Sequence, residues 1–468
     1  GFSNFKISIL WVDDDDPTCG GHSPCYQTIQ EAVAAAQARD TIKVRPGVYQ
    51  GQIIISKDLT ISGESREVVF IHNRDRFGER PWETIRVTGL ATVTIENVSI
   101  IDSTVGVLVE GAYVTLSPVQ LSNLAIAVLV VNGQLTLRES RLSSNQVGVS
   151  VGTESSLPNY IEGNQFQENS TAISIGEASH AIIRGNEMNG SGMGIKLSGS
   201  VEALLQANTI RSSIIGVHIG ETSRAYLEGN QIIGNALNGV IVRGFAQVTL
   251  IRNYILGNGF SLSFGFVLAQ VFYPEGFGVA VGESASAELT ENRFEGNVFG
   301  LGATQAFDPV SARQVLTPQI NAQRNEIVAN GWGVLLQGAA ATLSHNDITR
   351  NDITDLVTDA AILSFDTVYP SSGVLVQSGQ PLLEANHITQ NRRGVVLQGK
   401  ASPTLQSNQI MKNTDYGIAL YRRPCFGQLA TLDLVFQGKV SGEGNELSGN
   451  GQSDLCPPDY PWPPGFRK

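Results

Sequence analysis

The chain has 468 residues and a net charge of −12, and its composition is 41% apolar and 16% charged, with 50 glycines. Low charge and abundant glycine indicate a large, turn-rich β protein rather than a disordered chain. The acidic balance, without a basic block, argues against binding to nucleic acid or to an anionic membrane surface. No apolar run reaches the ~18 residues of a membrane helix, so we do not expect the chain to span a membrane.

The first 27 residues are predicted to form a leader, with a capping helix and the first coils in residues 28–84. The segment TIQEAVAAAQARD, residues 28–40, has apolar residues at helical spacing. Thr28 is a plausible N-cap, and Glu31 three residues later completes a capping box. A helix here would cover the unpaired strand edges at the end of a solenoid.

The leader contains four consecutive carboxylates, at Asp13, Asp14, Asp15 and Asp16. Calcium prefers several oxygen ligands, so these residues are the weak candidates for a metal site. The run lacks the spacing of an EF-hand loop, and a solvated acidic segment is the favoured interpretation. The six histidines show no metal-ligand spacing. We therefore expect no cofactor, with calcium as the one alternative.

Residues 85–424 repeat one phrase, GN-x-I-x-x-N followed by G-V-x-V, mostly at a period of roughly 21 to 24 residues. Each repeat contains three short β runs, and period-two alternation directs the apolar side chains to one interior face. The pattern predicts an all-β fold, a single-stranded parallel β-helix with three strands per coil and an N-terminal capping helix.

The repeated asparagines form two series, which stacked coils would place in two columns. Asn tolerates the left-handed backbone that a tight corner needs, and its amide can bond to neighbouring amides and to the corner backbone. We interpret the columns as structural ladders, with a row of sugar-binding amides as the less favoured alternative.

The stretch YQTIQEAVAAAQARDTIKVRPGVYQGQIIISKDLTISG, residues 26–63, resembles the opening of pectin-lyase-like, right-handed parallel β-helix proteins. The chain is most similar to the secreted PbH1-repeat members, including the NosD-like group and the domain shared by carbohydrate-binding proteins and sugar hydrolases. The resemblance implies the fold over nearly the whole chain. It does not imply one activity, because the superfamily contains lyases, hydrolases, esterases, epimerases and non-enzymes.

The outward position of the G-V-x-V strand, where a catalytic residue could lie, contains no carboxylate in any repeat. Most of this column is apolar, and Ser150, Ser174, Lys196 and His218 interrupt it. A serine beside Lys or His could act as nucleophile and base, so Ser174, Lys196 and His218 are weak catalytic candidates. An ordinary polar surface is the favoured interpretation.

Three insertions are predicted, near residues 260–278, 303–320 and 352–373. Their apolar side chains either fold over the solenoid or contact a partner. The candidate binding residues are the aromatics of the first insertion and three glutamines on consecutive coils, which could instead bond to each other: Phe264, Phe266, Phe272, Tyr273, Phe277, Gln337, Gln377 and Gln398.

The four cysteines lie in two terminal pairs, Cys19 with Cys25 and Cys425 with Cys456. Three connectivities are possible, and local pairing is the simplest. Disulfides favour an oxidising compartment, so we expect a secreted or cell-surface protein after signal-peptide removal, with the periplasm as an alternative. Residues 425–468 are predicted to form a C-terminal cap and a proline-rich tail.

The main functional prediction is a non-catalytic β-helix that binds polysaccharide, docks with another surface protein or assembles with itself. The first alternative is a polysaccharide lyase or glycoside hydrolase with its site near the insertions. The carboxylates to inspect would then be Asp308, Asp355, Asp359 and Asp366. The second alternative is a NosD-like periplasmic accessory protein.

Overall fold

The computed structural model describes residues 7–73, 82–152, 155–259, 276–307, 315–356, 364–429 and 432–466. It contains two compact units, residues 1–209 and 210–468. Each unit winds through three sheets of parallel strands, A, B and C in chain order, so the predicted three-strand coil is confirmed. The first unit also contains the cap helix, Ile29–Ala35, and a short 3-10 helix, Cys19–Gly21.

The strands of the first unit are as follows. Sheet A contains Ile9–Val12, Cys25–Tyr26, Asp40–Val44, Leu59–Gly63, Thr92–Glu96, Tyr113–Leu116, Gln134–Arg138, Ser155–Glu162, Ser179–Arg184 and Glu202–Gln206. Sheet B contains Gly47–Gln50, Val69–His72, Val98–Ile101, Val119–Ser122, Arg141–Ser143, Gln165–Gln167 and Glu187–Asn189. Sheet C contains Ile53–Ile55, Glu83–Thr88, Val105–Glu110, Ile126–Val131, Val147–Val151, Thr171–Ile175 and Met193–Leu197. The strand Thr209–Arg211 contains the division between the units.

The strands of the second unit follow the same order. Sheet A contains Arg224–Glu228, Gln247–Ile251, Ser286–Thr290, Gln319–Gln323, Ala340–Ser344, Leu382–Glu384 and Thr404–Gln406. Sheet B contains Gln231–Ile233, Tyr254–Leu256, Arg293–Glu295, Glu326–Val328, Asp347–Thr349, His387–Thr389, Gln409–Met411 and Glu446–Ser448. Sheet C contains Ile215–Ile219, Asn238–Val242, Phe277–Gly282, Phe299–Thr304, Trp332–Gln337, Val374–Gly379, Val395–Ala401, Tyr416–Leu420 and Ser453–Cys456.

Short elements complete the second unit. An antiparallel hairpin, Ala306–Phe307 with Val315–Leu316, precedes the sheet A strand that begins at Gln319. One helical turn, Ile353–Leu356, lies in the third insertion. Three 3-10 helices are described, Ser364–Thr367, Leu432–Leu434 and Pro464–Phe466. In the described part of the chain, no helix has the length and apolar character that crossing a bilayer requires.

The asparagine ladders are confirmed, and each amide links three coils. The side-chain oxygen of Asn297 accepts from both the backbone N–H and the Nδ2 of Asn258, at 2.9 Å each. Its own Nδ2 donates to Asn330 Oδ1 and to the carbonyl of Ile255. These buried asparagines therefore satisfy corner groups that would otherwise lack partners. The ladder ends at Asn450, whose Nδ2 donates to Asp454 Oδ1 at 2.7 Å.

The left-handed conformation was assigned to the wrong residue. It is adopted by the residue that precedes each ladder asparagine, for example Gly229 before Asn230 and Arg252 before Asn253. A left-handed residue costs a non-glycine side chain roughly 1 to 2 kcal/mol, which explains why Gly often precedes Asn in the repeat. The asparagine follows it because its amide bonds the backbone of the corner.

The amino-terminal end of the first unit has the predicted capping helix. Thr28 Oγ1 accepts from the N–H of Glu31, and the Glu31 carboxylate accepts from the N–H of Thr28, which confirms the capping box. Ile29, Ala32 and Val33 are buried. Both predicted disulfides are present, Cys19–Cys25 and Cys425–Cys456, so local pairing is confirmed.

Candidate active site

A column of polar residues follows the outer face of sheet B in the second unit. Each member comes directly after an asparagine of the first ladder, where the strand begins and its first side chain points outward. The strands are in register, so the residues lie side by side on consecutive coils. The column contains Tyr254, Arg293, Glu326, Asp347, His387 and Gln409.

Arg293 lies between Tyr254 and Glu326 in the amino-terminal half of this column. Its Nε donates to Glu295 Oε2 at 2.8 Å, and its Nη1 donates to Glu326 on the next coil. The hydroxyl of Tyr254 donates to Glu295 Oε2 at 3.0 Å. The hydrogen bond from Arg293 lowers the pKa of Glu295, while burial and then the bond to Glu295 raise the pKa of Tyr254. Tyr254 is therefore a protonated donor at neutral pH.

Asp347 and His387 lie on the next two coils, in the carboxy-terminal half of the column. The Nδ1 of His387 lies 3.1 Å from Asp347 Oδ1 on the neighbouring strand. About half of each side chain is exposed, with 54% for Asp347 and 48% for His387, and Glu326 is equally open at 56%. The two carboxylates, Glu326 and Asp347, are in register on adjacent strands and are both accessible from solvent.

This arrangement has the parts for acid–base chemistry. Two carboxylates on neighbouring coils, each held by a different basic partner, are the pair that glycoside hydrolysis uses. In and beside this column, two guanidinium groups, that of Arg293 and that of Arg350, whose charge also lowers the pKa of Glu295, lie among three carboxylates, those of Glu295, Glu326 and Asp347. These arginines and carboxylates together carry one net negative charge.

The column was not found by sequence reasoning, although the sequence contains a signal for it. The search for outward residues covered only the G-V-x-V strand, which became sheet C. Reading the residue after each first-ladder asparagine gives Tyr, Arg, Glu, Asp and His at positions 254, 293, 326, 347 and 387. In four earlier coils the same position holds Gln165, Glu187, Thr209 and Gln231, of which one is charged.

The predicted catalytic residues lie on sheet C instead. Ser174 and Lys196 are in register on adjacent strands of the first unit, and both are partly exposed. His218 lies in the second unit, in register with Ile241. A catalytic role for these three residues stays a prediction.

The predicted binding residues differ in accessibility. Phe264, Phe266, Phe272 and Tyr273 lie outside the described residues. Phe277 is completely buried and stacks on Phe299, which in turn stacks on Trp332, with ring centroids 4.7 and 4.5 Å apart. Burial removes Phe277 from the residues that could contact a ligand in this structure.

Two of the three glutamines, Gln377 and Gln398, form the predicted ladder bond, whereas Gln337 is in register with Ser378. Gln377 Nε2 donates to Gln398 Oε1 at 2.8 Å, and Gln398 Nε2 donates to the carbonyl of Val368. Gln398 is completely buried and Gln377 is 6% exposed, so neither amide faces solvent, while Gln337 is partly exposed. These bonds support the ladder interpretation and oppose a sugar-binding role for Gln377 and Gln398.

The third insertion folds over sheet C. The outward residues Leu335, Leu375 and Val396 are completely buried in a cluster with Ile353. The predicted packing of an insertion on its own solenoid is therefore observed for the described part of this segment.

The four carboxylates proposed with the enzyme alternative do not form a pair in the described residues. Asp308 and Asp359 lie outside them, and Asp355 is exposed on its helical turn. Asp366 is paired with Arg392 and Arg393, at 3.4 and 3.2 Å, in ion pairs that attach the insertion to the coil.

In the acidic leader, carboxylate oxygens of Asp13, Asp14 and Asp15 lie within 4.8 Å of one another. A hydrogen bond to Asp13 and the neighbouring charges raise the pKa of Asp15. Asp14 accepts from the N–H of Val48, and the Asp16 carboxylate accepts from the hydroxyl of Thr18, which lowers the pKa of Asp16. Calcium binding by this segment stays a prediction.

The family comparison gives a direct match. A family model described as the right handed beta helix region matches residues 147–314 and 310–452. The chain belongs to this right-handed β-helix family. No curated protein sequence gives a significant match.

Solved structures of β-helix proteins are similar to the chain. They include the A-module of the Azotobacter vinelandii mannuronan C-5 epimerase AlgE4, with 13% identity, a TM-score of 0.43 and coverage of 68% of this chain and 89% of that one. A mutant of the PL6-family alginate lyase AlyGC has 12% identity, a TM-score of 0.45 and coverage of 93% and 76%. The catalytic domain of a GH87 α-1,3-glucanase has 12% identity, a TM-score of 0.43 and coverage of 71% and 67%.

The main functional prediction needs correction. It assigned a non-catalytic β-helix for binding or assembly, whereas the three similar solved structures named above are those of an epimerase, a lyase and a glucanase. That prediction rested in part on the outer face of sheet C, which has no carboxylate in its outward column and is partly covered by the third insertion. The enzyme alternative is better supported.

Proposed function

We propose that the protein is a glycoside hydrolase that acts on a neutral polysaccharide, with Glu326 and Asp347 as its two catalytic carboxylates. The observation that carries the proposal is the register of these residues on adjacent strands of sheet B, with both side chains open to solvent. One carboxyl would protonate the departing glycosidic oxygen, and the other would act as base or nucleophile.

The spacing of the pair is compatible with this chemistry. Adjacent strands are ~4.8 Å apart, and Glu326 bonds to the coil before it while Asp347 bonds to the coil after it. The two carboxylates are therefore drawn in opposite directions along the stack. Retaining enzymes place the two groups roughly 5 to 5.5 Å apart and inverting enzymes roughly 6.5 to 9.5 Å apart.

The electrostatics favour hydrolysis of a neutral chain over elimination in a uronic-acid polymer. Elimination needs a cation that neutralises the substrate carboxylate, but Arg293 already bonds to Glu295 and Glu326. A polyuronate would bring further negative charge to a negative column on a chain of net charge −12. Neutral sugars meet no such repulsion.

We also propose that the enzyme works outside the cytoplasm. The support is the pair of disulfides, Cys19–Cys25 and Cys425–Cys456, because such bonds persist mainly in oxidising compartments. A polysaccharide substrate would be encountered there.

The test is a product assay on a panel of neutral and uronic-acid polysaccharides. Hydrolysis releases reducing ends without an unsaturated product, whereas a lyase generates an unsaturated sugar that absorbs ultraviolet light. We expect reducing ends from a neutral polymer and a loss of about 10² to 10⁴ in kcat for Glu326→Gln and for Asp347→Asn. Ultraviolet-absorbing products would contradict the proposal.

A matched control is available on the same face of the first unit. Glu187 also follows a ladder asparagine, begins a sheet B strand and points outward, but its register neighbour is Gln165 rather than a carboxylate. Glu187→Gln should retain full activity. Azide rescue of one of the two catalytic variants, but not the other, would then separate the base or nucleophile from the acid.

A further inference from the structure

A second polar surface lies on sheet A of the second unit, on a different side of the coil from the proposed catalytic column. Four strands contribute to it in register, with Ser286 beside Gln319 and Glu288 beside Asn321. Gln319 is followed by Ala340, and Asn321 by Thr342. These strands border a groove of about 440 Å³ that extends to Gln380 and Leu382.

The groove arises from an alternation of side-chain size. Along its edge column the residues are Ser286, Gln319 and Ala340, and the exposed Gln380 closes the groove on the next coil. Ala340 is exposed and leaves a gap, because the neighbouring coil has the long side chain of Gln319 at the same position. In the coil before Ser286, this position is occupied by Gln247, which does not line the groove.

The lining groups are those that bind neutral hydroxyls. Gln319, Asn321 and Gln380 offer amides, and Ser286 and Thr342 offer hydroxyls, so both donors and acceptors are present. Asn321 Nδ2 donates to Glu288 Oε2 at 2.8 Å, which fixes the amide while leaving it a second N–H and a carbonyl oxygen. Leu382 adds an apolar surface to the floor.

The charge of the groove limits the ligand class. Glu288 is the one ionised group among the described lining residues, so the groove attracts neither an anionic polymer nor, with a single carboxylate, a divalent cation. A protein partner would be expected to bury aromatic anchors, whereas five of the ten described lining residues offer an amide or a hydroxyl and none of the ten is aromatic. A neutral carbohydrate, with paired donor and acceptor hydroxyls, fits the lining best.

An insertion precedes the edge of the groove in the chain. The hairpin Ala306–Phe307 with Val315–Leu316 leads through Pro318 directly to Gln319 at the groove edge. It is attached to the coil by the N–H of Gln305, which donates to the carbonyl of Gln337 at 2.8 Å. The second insertion therefore interrupts the repeat where the groove begins.

We infer that this groove is a separate binding site for a neutral polysaccharide chain, distinct from the column that contains Glu326 and Asp347. The inference concerns binding and does not require the column to be catalytic. If both hold, the groove would retain the polymer on sheet A while hydrolysis takes place on sheet B.

Affinity electrophoresis and calorimetry would test the site in the full chain carrying Glu326→Gln, to prevent cleavage. The probes are soluble dextran, mixed-linkage β-glucan, glucomannan and xylan, with alginate as the anionic comparison. We expect at least one neutral polymer to bind, and the double variant Gln319→Ala with Asn321→Ala to weaken its binding about tenfold or more. Ala340→Trp, which fills the gap, should have the same effect.

Gln323→Ala is the matched control, because Gln323 lies on the same strand and outer face as Asn321 but outside the groove. It should bind as the parent does. The inference is overturned if no neutral polymer binds, if alginate binds in preference, or if the groove variants bind unchanged. The same groove substitutions made in the chain with Glu326 intact test the catalytic proposal separately, since those variants should still release reducing ends from short oligosaccharides.

Discussion

The imidazole Nδ1 of His387 lies 3.1 Å from Oδ1 of Asp347, on the adjacent strand of sheet B. The bond fixes the direction of a carboxylate that is otherwise half exposed. If Asp347 reacts with substrate, His387 acts as a positioning residue. We expect His387→Ala to lower kcat about tenfold with little change in KM, because orientation in the transition state is lost.

His387→Gln should recover part of this loss, since an amide can still bond to Asp347. The matched control is His180→Ala, which breaks an equivalent pair in the first unit, where His180 Nε2 lies 3.2 Å from Glu202 Oε2. Equal losses of kcat in the His180 and His387 variants would show that the His387–Asp347 pair has no special role.

A second prediction concerns acid stability. Because the hydrogen bond from Arg293 lowers the pKa of Glu295 below its ordinary value of 4.5, the ionised form stabilises the folded state. This contribution is present above pH 4.5 and is lost as pH falls through the lowered pKa. We expect Glu295→Gln to reduce the free energy of unfolding by about 1 kcal/mol at pH 7.

Denaturant unfolding at several pH values measures this difference, which should shrink towards zero as the pH falls below the lowered pKa of Glu295. Glu446→Gln serves as the control and should show a small effect at either pH, because Glu446 is exposed and accepts from the neutral amide Nε2 of Gln409 at 3.5 Å. A Glu295→Gln deficit that persists unchanged in acid would contradict the assignment of the pKa shift to Arg293.

A third prediction concerns the ladders. Asn297→Asp keeps the oxygen that accepts from Asn258 but replaces the amino group that donates to Asn330 and Ile255. The change places a carboxylate oxygen against two acceptors at a completely buried position. We expect a loss of about 3 kcal/mol in the free energy of unfolding, measured by urea denaturation.

The same substitution at a partly exposed site outside the ladder distinguishes the loss of the ladder hydrogen bonds from the effect of introducing an aspartate. Asn189 lies at the outer end of a sheet B strand, and Asn189→Asp should change stability by no more than about 0.5 kcal/mol. If the two substitutions cost the same, the ladder bonds would contribute nothing measurable.

A fourth prediction concerns the disulfide between Cys425 and Cys456. It closes a segment with a sequence separation of 31 residues and joins the buried cluster that covers sheet C. Replacing both cysteines with alanine should cost about 3 to 4 kcal/mol by the chain-entropy argument. Thermal unfolding measures the loss, and hydrogen exchange should rise first in the segment between the two positions.

Cys19 and Cys25, separated by only 6 residues, provide the comparison. Removing this bond should cost less, since a shorter loop restricts the unfolded chain less. A larger loss for the short loop would mean that native packing, and not chain entropy, dominates.

The repeat made the coil predictable because its signals are local. Alternation of Val240 and Val242 defined an inward face, and Thr28 with Glu31 defined a capping box. The corner was harder, since the pattern G-N does not say which residue turns left-handed. Arg252 and Glu291 take that conformation without being glycine, held by the asparagine bonds that follow them.

The sequence alone could not show which polar residues come together in the candidate site. Glu326 and Asp347 are 21 residues apart, and their meeting depends on the register of two strands separated by an entire coil. The ion pair from Arg293 crosses the 33-residue spacing created by the second insertion. The burial of Gln398 likewise depends on the folded course of the third insertion, which no short-range pattern encodes.

The asparagine ladder has a direction along the chain. Each amide oxygen accepts hydrogen bonds from the preceding coil. The corner N–H groups of a newly formed coil therefore have no acceptor until the next coil forms. If the coils form in order from the amino end, the last coil formed always has corner N–H groups without an acceptor. At Asn450 the acceptor is the carboxylate of Asp454, only four residues further along the chain, so the last asparagine of the ladder is hydrogen-bonded without another coil.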